Sequence, residues 1–365
     1  MEMIRPRIKP EHLPFRIDGG LIRIGGMVGG IAGEIEDPTG SVWSLLEFMD
    51  GTMNIDQTVQ AVIAQHPRET ERDVRDAIAA LIESGYVEDA GSFDPDGLSD
   101  REKERYSRSR NYFRWVDLVP RASTWEPQVA LRRARVTVAG IGGAGGFAAI
   151  ALAASGVGNL HCVDGDAVEL SNLNRQVLFD ESDIGTAKVD AGARRLRRLN
   201  SDISVTVECV NLSEEDMVPL ATECDVLLMA ADNPQELRLW TNRACLTVGR
   251  SWVNVGYHGP LVTVGTYVPW ASACWECVRA TDEEEHPLAA DLDTVRHSAE
   301  NAVIAVSAGL SGILAAHAVI ALLTGVPPAV AGQVQAINLV QLNSPFLLSS
   351  ARRPDCPGCG QPVPT

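Results

Sequence analysis

Lysine is nearly missing from this 365-residue chain: Lys9, Lys103 and Lys188 are the only three among 31 basic residues, against 48 acidic ones. The resulting net charge of −17 excludes a broad basic surface for neutralising phosphates, so no nucleic-acid partner is expected. Aromatic residues are sparse at 5%, while 45% hydrophobic and 22% charged residues give the balance of a globular chain long enough for two domains. Met1 to Pro14 lacks the apolar segment of a secretory signal, which points to the cytoplasm. A convincing lipid-facing run is also lacking. Ala302 to Gly325 is uncharged apart from His317 and long enough to span a bilayer, but alanine dominates it, it holds Ser307, Ser311 and three glycines, and no basic cluster flanks it. It reads as a helix buried under a parallel sheet, with no membrane partner. Cysteine, finally, is missing from Val278 to Val306.

What charge there is falls unevenly. Residues 1–98 carry 8 Lys+Arg and 18 Asp+Glu, a local charge of −10, which leaves −7 for the rest. The turn-rich stretch Gly91 to Leu98 reads as a linker between a first domain, 1–98, and a second, 99–365. The first opens with short β-like runs at Leu13 to Ile17, Leu21 to Ile24 and Gly30 to Ile35, separated by glycine-rich turns. Helical spacing follows at Ser41 to Phe48, Asp56 to Ala64 and Thr70 to Ser84, the last repeating Val74, Ile78, Leu81 and Ile82. Thr70 with Asp73 predicts a capping box, Gly85 a helix stop, and Tyr86-Val87 a closing strand or wing.

Three strands followed by three helices predict a small winged-helix (α+β) domain. With the run "GSVWSLLEFMDGTMNIDQTV" it resembles the PqqD-like quinone-cofactor chaperone and the leader-peptide recognition elements of ribosomal peptide pathways. The resemblance implies that the domain grips the leader of a precursor peptide, by strand addition into an acidic groove. A winged helix more often binds DNA, which the −10 charge opposes; a passive dimerisation or scaffolding domain is the plainer alternative.

In the second domain, Arg135 to Ala139 is a short apolar strand running into Gly140-Ile-Gly142-Gly143-Ala-Gly145-Gly146 and an alanine-rich helix. Glycines there allow a tight turn and close backbone approach, and the helix start offers free N–H groups to an anion. The next strand ends in Asp164, suited to a ribose hydroxyl. The loop and this acid fit NAD as well as ATP, so a dehydrogenase stays open at this point.

The residues after Asp164 narrow the choice. Asp164-Gly-Asp166-Ala-Val-Glu-Leu-Ser-Asn172-Leu-Asn-Arg175-Gln176, then Ile184-Gly-Thr-Ala-Lys188-Val189, then Ala231-Asp232-Asn233, resemble in order and spacing the activating-enzyme superfamily. That superfamily includes the ThiF and MoeB proteins and the ubiquitin-activating enzymes. Arg105-Tyr-Ser-Arg108 is similar to its upstream motif, so the likeness covers about Arg105 to Asn343. It implies a Rossmann-like α/β adenylation domain that binds ATP and Mg²⁺ and joins a carboxylate to AMP. Lys188 and Arg175 would contact the phosphates, Asp232 would stand near magnesium, Asp164 would fix the ribose, and Asp166 and Asn172 would complete the nucleotide site with Gly140, Gly142, Gly143 and Gly145. Arg108 would reach the nucleotide of a partner subunit, which implies a homodimer. The plainer readings are a solvated helix residue for Lys188, an ion pair for Arg175, a helix cap for Asp232 and mere solvation for Arg108. The lysine bias favours function for Lys188, since phosphate contact suits a compact ammonium.

Cys274-x-x-Cys277 and Cys356-x-x-Cys359 have the spacing of metal ligands, and family members hold a structural zinc at such pairs. Disulfides or unrelated reactive thiols are the alternatives. Ubiquitin-type enzymes carry their thioester cysteine between the first pair and the apolar helix, where this chain has none. The resemblance therefore implies adenylation of a precursor-peptide carboxylate without an enzyme thioester, as in the enzymes acting on microcin C or pantocin-type precursors. Activation of a ubiquitin-like sulfur carrier and an inactive peptide-delivery partner are the alternatives. Asp282 to His297 is expected as a loop over the substrate channel, with Tyr257, His258, His286 and His297 as possible contacts.

Overall fold

The computed structural model describes residues 4–92, 94–285, 302–343 and 345–360. Its backbone separates into two compact units, Met1–Val129 and Ala130–Thr365.

The first unit holds a two-stranded antiparallel pair, β1 (Pro6–Ile8) with β5 (Val87–Asp89), and a three-stranded antiparallel sheet of β2 (Phe15–Ile17), β3 (Leu21–Ile24) and β4 (Gly33–Glu36). Its helices are α1 (Ser41–Phe48), α2 (Ile55–Gln65) and α3 (Glu71–Glu83). Strand alternation sends Ile22 and Ile24 inward from β3, and helical spacing sends Val74, Ile78 and Leu81 inward from α3. The Thr70–Asp73 capping box is present, and a second one, Asn54 with Gln57, starts α2.

This unit continues past the composition shift at 91–98. Helices α4 (Asp100–Arg105) and α5 (Ser107–Val116) belong to it. Arg114 pairs with Glu11, the Lys9 ammonium donates to the Asp117 carbonyl at 2.6 Å, and His12 Nε2 donates to the Trp115 carbonyl at 2.7 Å. Ties that span a hundred residues of sequence leave no local signal, which is why composition alone places a boundary earlier.

Helix α6 (Glu126–Arg133) leads into the second unit and its eight-stranded sheet, ordered β13-β12-β11-β10-β9-β6-β7-β8. Strands β6 (Arg135–Ala139), β7 (Asn159–Val163), β8 (Ser204–Glu208), β9 (Val226–Met229) and the start of β10 (Ser251–His258) are parallel. Strands β11 (Leu261–Tyr267), β12 (Gln333–Asn338) and β13 (Phe346–Ser349) extend the sheet antiparallel. Because β6 has β7 on one side and β9 on the other, the crossovers diverge at its carboxyl end and open a crevice there.

Helix α7 (Gly143–Ser155) follows β6, and α12 (Ala305–Thr324) packs along it. The expected buried helix is therefore present, but with one side exposed: Ser307, Ala308, Ser311 and Gly312 face inward, while Val306 and Ile313 are open. Small residues set this packing. A Cβ on Gly312 would overlap the Ala144 carbonyl oxygen of α7. The remaining helices are α8 (Lys188–Leu199), α9 (Glu214–Thr222), α10 (Leu237–Val248) and α11 (Trp275–Glu285). His286 and His297, with most of the expected loop, lie outside the described residues.

Candidate active site

The crevice beside β6 is a cleft of about 340 Å³, and most of the expected nucleotide residues line it: Gly140, Gly142, Gly143, Asp164, Asp166, Asn172, Arg175, Lys188 and Asp232. Gly140 sits at φ +85°, and a Cβ there would come within 2.6 Å of the Ala231 amide nitrogen. Gly145 stands behind the lining, where a Cβ would overlap the Gly140 carbonyl. The glycines thus do two jobs. Gly140 lets the strand turn sharply, and Gly145 lets the first turn of α7 approach the loop, leaving its amides toward the cleft.

Asp164 braces that loop. One carboxylate oxygen accepts the Ile141 N–H and the other the Asp166 N–H, both at 2.9 Å. Lys188, the first residue of α8, is only 6% exposed, which sets aside a solvated helix residue. Its ammonium donates to Asp166 at 2.7 Å and lies 3.9 Å from Asp164. Asn172 is buried and accepts the Glu169 N–H through its side-chain oxygen, so part of its role is to hold the turn. Arg175 donates to the Ser171 carbonyl and the Asn174 side chain, each at 2.9 Å, with no carboxylate partner among the described residues. Asp232 is exposed at the end of β9. Arg108 is exposed on α5 of the first unit and is not part of the cleft lining.

Several lining residues were not singled out as binding residues in the sequence. Gln176, beside Arg175, is buried with an unpartnered side-chain oxygen. Asn211, after β8, packs so closely on Gly165 that no Cβ fits there. Arg238, in the first turn of α10, donates through Nε to Asn254 at 3.0 Å; burial lowers its pKa and nearby Asp232 opposes that shift. Tyr257, one of the possible contacts, does reach the cleft. Burial raises its pKa, and Arg175, also its hydrogen-bond partner, and Asp232 act on it with opposite signs. The neighbouring His258 is exposed.

The four paired cysteines converge elsewhere. The sulfur atoms of Cys274, Cys277, Cys356 and Cys359 all lie within 4.8 Å of one another and are buried. Separations of 3.8 Å (Cys274–Cys277), 3.5 Å (Cys274–Cys356) and 3.4 Å (Cys277–Cys359) are far too long for disulfides. They match the roughly 3.8 Å edge of a tetrahedron with zinc–sulfur bonds of about 2.3 Å. The donor set fits a closed structural zinc.

A mainly parallel sheet with a glycine loop, an acid after β7 and a buried lysine at its switch point is the arrangement common to nucleotide-binding folds. Within that class, the chain belongs to the ThiF family, whose profile matches residues 112–358. It is 32% identical over 306 residues to the Bos taurus adenylyltransferase and sulfurtransferase MOCS3, covering 83% of this chain and 64% of that protein. It is 31% identical over 268 residues to the sulfur carrier protein ThiS adenylyltransferase of Escherichia coli K12, covering 72% and 97%. The chain spans between about half and two thirds of the length of the MOCS3 relatives from cattle, pig and Xenopus laevis. Among solved structures, E. coli MccB shares the fold with a TM-score of 0.80 at 23% identity, covering 100% of this chain and 98% of that one. MccB with ATP gives 0.76 at 24%, covering 97% and 99%, and PaaA gives 0.70 at 24%, covering 94% and 100%. At these identities the likeness is one of fold.

Proposed function

We propose that the protein is an ATP-dependent adenylyltransferase that activates a carboxylate of a ribosomally made precursor peptide. The observation that carries the chemistry is the cleft itself, in which a glycine loop, Asp164, the cations Arg175, Lys188 and Arg238, and Asp232 line one crevice. The carboxylate oxygen forms a bond to the α-phosphorus, the Pα–O–Pβ bridge breaks, and pyrophosphate leaves with the electron pair. Positioning and charge neutralisation supply the acceleration. Lys188, released from Asp166, and Arg175 meet the phosphates, while Asp164, Asp166 and Asn172 shape the ribose side. Asp232 would hold a magnesium ion, which when bound adds positive charge at the phosphates. In a homodimer, Arg108 serves the partner subunit's nucleotide.

In this reading a winged-helix element within residues 1–98 of the first unit holds the leader of the precursor, and the second unit carries the adenylation chemistry. The strand and helix order of the first unit, the charge of −10 on residues 1–98 and a MccB structure in complex with N-formylated MccA support it. With no cysteine from Val278 to Val306, the acyl-adenylate passes to its acceptor without an enzyme thioester in the usual place. All eight cysteines are unpaired, in keeping with a reducing cytoplasm.

A second reading, activation of a ubiquitin-like sulfur carrier, is favoured by the relatives at 31% and 32% identity. ATP–pyrophosphate exchange separates the two. We expect short precursor-like peptides to stimulate exchange, a carrier protein ending in Gly-Gly to leave it at background, and Lys188→Ala to lower it by about 100-fold or more. Stimulation by the carrier alone would select the second reading.

A further inference from the structure

The cleft has a direction set by strand order. Asp164 after β7 and Asn211 after β8 line one end, and Arg238 beyond β9 and Tyr257 in β10 line the opposite end. Lys188 is tied to Asp166, and Arg175 to its own turn and to Tyr257. Arg238 is a further cation toward that end. It lies in the cleft wall with Nε engaged by Asn254 at 3.0 Å, and its Nη2 lies 3.7 Å from where a Cβ on Gly256 would sit. It makes no ion pair among the described residues, Asp232 included.

A guanidinium carries five N–H donors and no acceptor, and taking it from water is costly unless those donors find an anion. Asn254 spends its only side-chain acceptor on Arg238, leaving its own N–H₂ group. Asn254 thus fixes Nε from behind the lining and leaves the Nη N–H groups of Arg238 as its donors in the cleft wall. That pattern fits a planar two-oxygen anion held in parallel, which is the geometry of a carboxylate.

The geometry points to Arg238, positioned by Asn254, as the group that anchors the acyl substrate's carboxylate. The inference rests on the adenylation reading and names the residue that receives the second substrate. A carboxylate approaching ATP meets like charge. Arg238 offsets that repulsion by holding one oxygen while the other forms the bond to the α-phosphorus and pyrophosphate departs.

The same N–H pattern would also receive the terminal phosphates of ATP, and binding measurements on the full-length protein tell the two anions apart. The nucleotide probe is the non-hydrolysable analogue AMPCPP, titrated by calorimetry. The carboxylate probe is N-acetylasparagine, observed by saturation-transfer NMR on AMPCPP-loaded protein, with its C-terminal amide as the uncharged control. In the wild type the acid binds and the amide does not. Arg238→Gln weakens the acid by about 10- to 100-fold while AMPCPP affinity stays within about twofold, and Arg238→Lys restores part of the loss. Weakened AMPCPP with unchanged acid binding would make Arg238 a phosphate clamp and overturn the proposal. Loss of both ligands would give it a structural role, and equal binding of acid and amide by the wild type would also sink the idea. Failure of the wild type to bind AMPCPP at all would instead count against the adenylation reading.

Discussion

Adding a single carbon at Gly145 or at Gly185 tests two different constraints. At Gly145 the new Cβ would overlap the Gly140 carbonyl, so Gly145→Ala must push α7 away from the loop. We expect a cost of about 1–3 kcal/mol in stability and a clear loss of AMPCPP affinity by calorimetry. Gly185 has φ +84° and nothing within 4 Å of its Cβ position, so Gly185→Ala should cost only about 1 kcal/mol of backbone strain. Paired thermal melts of the two variants check the difference. Acid sensitivity should reside at His12. Its Nε2 proton is donated to the Trp115 carbonyl, its Nδ1 is buried without a partner, and its edge meets Tyr86 at 5.2 Å. Burial lowers its pKa below the usual 6.5, with Lys9 and Arg114 lowering it further and Glu11 and the Trp115 hydrogen bond raising it. Below that value the unfolded chain takes up more protons than the folded one, so stability falls as pH drops from about 6.5 toward the lowered pKa. The unfolding midpoint of the wild type should drop over that range more than that of His12→Gln; equal slopes would remove His12 from the account. Lys188 was legible at this scale because the chain otherwise prefers arginine, whereas Arg238 sits on a helix without a local pattern and only its surroundings mark it.

The elements themselves followed closely from periodicity and end signals. Expected helices at Ser41 to Phe48, Asp56 to Ala64 and Thr70 to Ser84 differ from α1, α2 and α3 by at most one residue at each end. Removing the cap with Thr70→Ala should cost about 1 kcal/mol, measured as a lower unfolding midpoint, because the amide of Asp73 would lose its acceptor. The closeness of α7 and α12 makes a longer-range prediction. Gly312→Ala would press on the Ala144 carbonyl in the first turn of α7, so AMPCPP affinity should fall although Gly312 does not line the cleft. Unchanged affinity would mean that the helix pair yields without disturbing the glycine loop. That side of α12 was legible as small and apolar; which residues stay open was not, since the helix is apolar all round.

On the scale of the whole molecule, the metal site joins distant parts of the second unit. Cys274 and Cys277 stand at the start of α11, Cys356 and Cys359 near the carboxyl end, and Arg352 further fastens the tail by donating to the Cys359 carbonyl. We expect about one zinc per chain by elemental analysis. Cys356→Ser should lower that content toward zero together with the unfolding midpoint, because metal binding is part of the folding free energy. Normal zinc in that variant would point to a different ligand set. The sequence alone determined what is local or ordered along the chain: the three helices α1 to α3, the glycine loop, the motif order leading to Lys188 and Asp232, and the two thiol pairs. Such features arise from backbone preference and from residue types a few positions apart. Only the tertiary structure decided that α4 and α5 join the first unit, that Asp164 braces the glycine loop, that four thiols lie within 4.8 Å of one another, and that Arg238, held by Asn254, lines the cleft. Those outcomes depend on packing between segments tens to hundreds of residues apart, and the free energy of such contacts has no counterpart in local spacing.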